Sequence, residues 1–84
     1  MFAEGMLIAA HAYCVDNRGQ LGGSSVAGCF SCKATFAPGD VVDWCDEGQT
    51  AICPRCGVDS VLGSHTGLPV ADADFLDAMH QRWF

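Results

Sequence analysis

Cys29-Phe30-Ser31-Cys32 and Cys53-Pro54-Arg55-Cys56 are two Cys-x-x-Cys pairs with 20 residues between them. Each pair sits on one tight turn and can aim two sulfurs at a single centre. Together Cys29, Cys32, Cys53 and Cys56 supply four thiolates, a complete tetrahedral set for one structural Zn²⁺. The interval falls at the upper end of the spacing found in zinc ribbons, about 15–20 residues. Two pairs of buried thiols or disulfides are the plainer reading, and the paired spacing argues against it. Iron is the alternative metal, because a Cys-Pro-x-Cys-Gly knuckle also occurs in rubredoxin-like electron-transfer proteins and thiolate tetrahedra suit both ions.

The second knuckle is the more specific. Pro54 fixes a backbone angle in the turn, and Gly57 permits a left-handed conformation just after the second sulfur. Backbone N–H groups of such a turn are expected to point at sulfur and stabilise the thiolates. The first knuckle has Lys33 where the second has Gly57, and this lysine could offset the negative charge of the site. Gly28 lets the backbone pass close before the first ligand. Asp59-Ser60 reads as a local cap or as a pair that orients the knuckle.

Four matched ligands leave no open position on the metal, so catalysis at the metal is not expected. An open zinc site, with a water replacing one cysteine, is the less favoured enzyme reading. Cys14 and Cys45 lie outside the pairs and read as small buried hydrophobes. Cys45 has acidic neighbours in Asp43, Asp46 and Glu47, which oppose thiolate formation. With four sulfurs available, His11, His65 and His80 are not needed as ligands, and none has an evident catalytic partner. His80 is expected on the polar side of the last helix.

The elements that must position the knuckles are short. Residues 2–15 predict a short helix, with Phe2, Met6, Ala9 or Ala10, and Tyr13 at roughly helical spacing and Gly5 as an early interruption. Asp16-Asn17-Arg18-Gly19 reads as a turn, and Gly22-Gly23-Ser24-Ser25 as a flexible connection. Lys33 to Phe36 reads as a strand leaving the first knuckle. Residues 38–45 read as one or two helical turns opened by Pro38, with Trp44 facing the core. Asp46-Glu47-Gly48 is a turn, Thr50-Ala51-Ile52 a strand, and Val58 to Leu62 a helical turn ending at Gly63. The clearest helix is the last. Asp72 or Asp74 caps it, and Phe75, Leu76, Met79, Trp83 and Phe84 share a face. Trp44, Phe36, Phe75 and Trp83 are expected in the core.

These readings give an α+β fold: a small zinc-ribbon-like domain with short β-strands, an N-terminal helical segment and a C-terminal helix. The whole chain, 1–84, is one zinc-binding domain, with an N-terminal segment at 1–25, the metal ribbon at 26–63 and the C-terminal helix at 70–84. A domain this small buries only about 60–65% of its unfolded surface. Zinc binding of about 10–16 kcal/mol would exceed its intrinsic stability, so the metal-free chain is expected to be largely unfolded.

Ten acidic residues face only Arg18, Lys33, Arg55 and Arg82, for a formal charge of −6. Four thiolates on one Zn²⁺ add about −2 more. Displacing counterions from phosphates needs clustered lysines and arginines, so the charge argues against a nucleic-acid-binding ribbon. Met6-Leu7-Ile8-Ala9-Ala10 is apolar, but Glu4 stands where a signal peptide carries positive charge, and the run is far short of a membrane span. A cytoplasmic location is expected, since paired cysteines without an export signal favour metal in a reducing compartment.

The series His11, Asn17-Arg18, Ser24, Gly28-Cys29-Phe30-Ser31-Cys32, Phe36-Ala37-Pro38, Trp44, then Asp46 through Gly63, and a closing Phe75-Leu76, Met79-His80 and Trp83-Phe84 resembles a family of small bacterial proteins labelled only as cytoplasmic proteins, with a four-cysteine zinc ribbon. The stretch from Gln49 to Gly63 carries most of the resemblance. The first fifteen residues match least, and Gly39, Asp40 and Cys45 depart from the pattern. The resemblance implies a cytoplasmic, cysteine-ligated domain and supplies no activity. The function expected from the residues is a non-enzymatic, zinc-stabilised interaction module, an adaptor or inhibitor. Its partner is expected to be another protein or a second copy of the chain, because half of the residues are apolar.

Overall fold

The computed structural model describes residues 2–84. The chain opens with α1 (Glu4–His11), which runs into a 3₁₀ turn at Ala12–Cys14. Gly5 lies inside α1 without breaking it. The helix buries Leu7 and Ala10, with Phe2 and Met6 packed at the margin, whereas Tyr13 is exposed rather than on the apolar stripe.

A second helix, α2 (Arg18–Gly22), replaces the expected turn and part of the expected flexible connection. Its cause is tertiary. Leu21 is buried in the core that holds Cys29 and Cys53, and the Arg18 N–H donates to the Gln49 carbonyl at 3.0 Å. Ser24 and Ser25, read as flexible, are held. The Ser24 hydroxyl donates to the Gln20 carbonyl and accepts from the His65 N–H, while the Ser25 N–H donates to the Ser64 hydroxyl.

Three strands form the central sheet: β1 (Ala27–Cys29), β2 (Thr35–Phe36), and the strand Val61–Gly63, which is β5 below. Their order is β2-β1-β5, antiparallel throughout, with Ala27 opposite Phe36 and Gly63, and Cys29 opposite Val61. Between them, β3 (Trp44–Cys45) and β4 (Thr50–Ala51) make a separate hairpin. Its turn passes through Asp46, Glu47 and Gly48, all with positive φ, the backbone hand that tight hairpins favour.

Two expectations are corrected here. Val58 to Leu62 is not helical, because residues 61–63 pair along β1. Residues 38–45 are not one helical stretch: a 3₁₀ turn covers only Pro38–Asp40, and Trp44 belongs to β3. Trp44 is half-buried, packed on the core that holds Cys29 and Cys53, with the Arg18 guanidinium over its ring at 4.5 Å.

The sheet separates two cores. Successive strand residues point to opposite faces. Val61, Ala27 and Cys29 join the core that contains Leu21, Phe36, Val41, Ala51 and Cys53. Leu62 joins the other, with Leu7, Phe30, Phe75, Leu76 and Met79. Gly28 faces this second core so closely that a Cβ there would collide with the Val70 carbonyl oxygen. The closing helix α3 (Ala73–Trp83) covers that face. The Asp72 carboxylate caps it by accepting from the Asp74 N–H at 2.8 Å. Phe75, Leu76 and Met79 are fully buried, Trp83 is half-buried, and Phe84 is 62% exposed.

Candidate metal centre

The two knuckles are built alike, although they share only their cysteines. In the first, the Lys33 N–H donates to the Cys29 carbonyl at 2.8 Å and the Cys29 N–H to the Ala34 carbonyl at 3.0 Å. In the second, the Gly57 N–H donates to the Cys53 carbonyl at 3.0 Å and the Cys53 N–H to the Val58 carbonyl at 2.9 Å. Lys33 and Gly57 both take left-handed backbone, at φ 65° and 79°. So the missing glycine does not change the first turn. Lys33 adopts the glycine conformation at a cost of about 1–2 kcal/mol. Its ammonium has a carboxylate partner of its own. It pairs with Asp77 of α3 at 2.9 Å and holds that exposed carboxyl below its usual range.

Each knuckle buries its first cysteine and exposes its second: Cys29 and Cys53 are buried, Cys32 and Cys56 exposed. All four sulfurs lie within 4.8 Å of one another. The Cys29 and Cys56 sulfurs are 3.7 Å apart, and those of Cys32 and Cys53 are 3.8 Å apart. A tetrahedron with metal–sulfur bonds of about 2.3 Å has edges of about 3.8 Å. The four thiols could therefore hold a metal ion with little movement.

The surroundings also suit thiolates. The Arg55 N–H donates to the Cys53 sulfur at 3.3 Å, and the buried Ser60 hydroxyl lies 3.1 Å from the Cys29 sulfur. Without a metal, burial pushes the Cys29 thiol up to about 12, against the hydrogen bond from Ser60 and those from the Cys32 and Ser31 backbone. Burial also raises Cys32, against a hydrogen bond from the Ala34 backbone. For Cys56, burial raises it, but the Val58 backbone and the neighbouring cysteines outweigh that and bring it below its ordinary value. A cation must displace these protons, and its own charge supplies the driving force.

The remaining candidates stand apart from this cluster. Cys14 is buried in the α-helical core, where burial first and Asp59 second push its thiol up to about 11. Cys45 is half-buried in β3 and is also raised, by its limited burial and by Asp46 and Asp59. His65 is exposed beside α2. His80 does not lie on a free polar face: its Nδ1–H donates to the Phe30 carbonyl at 3.0 Å, tying α3 to the first knuckle. His11 packs against Trp83 with ring centroids 3.9 Å apart and the planes tilted by 35°.

One residue that sequence reasoning left as a turn former matters for the site. Asn17 is 2% exposed, its Nδ2 donates to the Val61 carbonyl at 2.8 Å, and its Oδ1 accepts from the Ala51 N–H at 3.0 Å. It locks β4, which leads into Cys53, to β5 beside Cys29. These two partners lie 34 and 44 residues away in sequence, so no local signal points to them.

No protein-family model, curated protein or solved structure matches the chain. The four-thiol cluster therefore carries the functional reading.

Proposed function

We propose that this chain is a zinc-stabilised, non-enzymatic protein-interaction module, an adaptor or inhibitor of the bacterial cytoplasm, and that it belongs with the small zinc-ribbon proteins its sequence resembles. The observation that carries the reading is the four-sulfur cluster, all within 4.8 Å, two of whose edges, at 3.7 and 3.8 Å, match those of a closed tetrathiolate. Four protein ligands complete the coordination of zinc and leave it a structural part. Its sulfurs must stay reduced to bind, which favours a reducing compartment. Among the described residues, no helix is long and apolar enough to cross a membrane. Exposed Val42, Phe84, Ile8, Val15 and Tyr13 offer apolar area for protein contact. The formal charge of −6 disfavours nucleic acid.

Two measurements test this. Metal analysis of protein produced without added zinc should return one zinc per chain. A red protein with ferric-thiolate absorption moves the site to the rubredoxin-like electron-transfer alternative. Affinity capture should then recover a protein partner or a second copy of the chain. A monomer that captures nothing removes the adaptor reading.

A further inference from the structure

Beside the metal centre lies a cavity of about 270 Å³ between the end of α1, the end of α3 and the segment that follows the second knuckle. This is small against the about 300–1,000 Å³ of pockets for drug-sized ligands, so it suits a head group or one side chain. Four of its walls are rings: His11, Phe30, Trp83 and Phe84. They form a continuous series, with centroids 3.9 Å apart from Trp83 to His11, 5.9 Å from His11 to Phe30, and 5.9 Å from Phe30 to Phe84.

The remaining polar wall includes the exposed carboxylate of Asp59. Among the described residues the ion pairs are Lys33–Asp77 and Arg82–Glu4, so Asp59 has no cationic partner there. No lysine or arginine lines the cavity. Arg82, outside it, lies over the Trp83 ring at 4.6 Å, so that ring already carries a cation, and the open ring surface of the cavity is that of Phe84, which is 62% exposed.

Aromatic faces carry negative potential and attract cations, most strongly alkylated ones that desolvate easily. An unpaired carboxylate adds a full charge of the same sign. We propose that this cavity binds an organic cation, an alkylammonium or trimethylammonium group, between its rings and Asp59. The group could belong to a free small molecule or to a lysine side chain of a partner protein. The second source would deepen the interaction-module reading, but the cavity itself needs only the folded chain.

The test is two-dimensional NMR of the zinc-loaded protein, following the Trp83 indole N–H, during titration with choline, with N-acetyl-lysine amide, and with the neutral isostere of choline in which carbon replaces the charged nitrogen. The charged ligands should bind about tenfold more tightly than the isostere, as cation–π contact plus one carboxylate implies. Asp59→Asn and Phe84→Leu should each weaken choline about threefold and leave the isostere unchanged, the two together accounting for the tenfold preference. Both residues are exposed, so the fold survives, and an unshifted Trp83 indole signal in the free variants verifies it. Binding of choline alone assigns a small-molecule source, and binding of the lysine amide alone a protein source. Equal binding of charged and neutral ligands, or no shift with any of them, overturns the proposal. That result would leave the partner-capture experiment unaffected, and failure to capture a partner would leave choline binding unaffected.

Discussion

The Ser60 hydroxyl lies 3.1 Å from the Cys29 sulfur, and both are buried. Ser60 is also fixed through its backbone, since its carbonyl accepts from the Phe30 N–H at 3.1 Å. Backbone pairing thus sets the distance between the hydroxyl and the sulfur. In this geometry the O–H can donate to the thiolate that metal binding forms at Cys29, beside the Cys32 and Ser31 backbone N–H groups.

Replacing Ser60 with alanine should lower metal affinity by about 10–100-fold, the usual cost of losing a partner just outside the ligands. Competition with a chromophoric chelator measures it. Affinity equal to the parent would show that the hydroxyl does not support the site.

Removing the metal should unfold the chain. Cys29 and Cys53 belong to the core that also holds Leu21, Phe36 and Val61, so the loss of the cation strikes that core directly. Circular dichroism with an excess of chelator should show loss of the cooperative melt. Apparent metal affinity should also fall as pH is lowered from about 8 to 6, because binding releases thiol protons, including that of Cys29, which burial pushes up to about 12.

Lys33 sits in left-handed backbone at φ 65° and also pairs with Asp77. The exposed pair contributes little, about 0–1 kcal/mol. In an Asp77→Ala background, Lys33→Gly should therefore stabilise the zinc-bound protein by about 1 kcal/mol. Gly57→Val should destabilise it, since φ there is 79°. Urea titrations compare the two.

Asn17→Ala should cost about 2 kcal/mol or more, because it leaves the Val61 carbonyl and the Ala51 N–H buried without partners. The midpoint of urea unfolding reports this, and a shift near zero would mean that water or a neighbour replaces the amide.

Burial pushes the Cys14 thiol up to about 11 against an ordinary 9.0. Its neutral thiol is the form the fold accepts. The contribution is fully present below pH 9.0 and is lost as pH rises through about 11. The parent should lose stability over that window more steeply than Cys14→Ala, as measured by denaturant unfolding at fixed pH values.

Much of the local chemistry was legible in the residues. The ligands, the Gly57 turn, the Asp46–Gly48 turn and the cap and buried face of α3 each depend on neighbours within a few positions, and spacing records such neighbours. Strand Val61–Gly63 left no such trace. It is three residues long and buried on both sides, so neither alternation nor helical period can register in it. Helix α2 was obscured by its glycines and is held by Leu21 burial and the link to Gln49.

The sequence by itself determined that four thiols come from two like turns in an acidic α+β domain, because turn chemistry and net charge are local or additive properties. Only the tertiary structure decided how those turns meet. It set the knuckles on one side of a three-stranded sheet and α3 on the other, placed Asn17 between β4 and β5, and ringed the Asp59 cavity with side chains from residues 11, 30, 83 and 84. These contacts span most of the chain and follow from burying both faces of one sheet, a requirement that no short stretch of residues expresses.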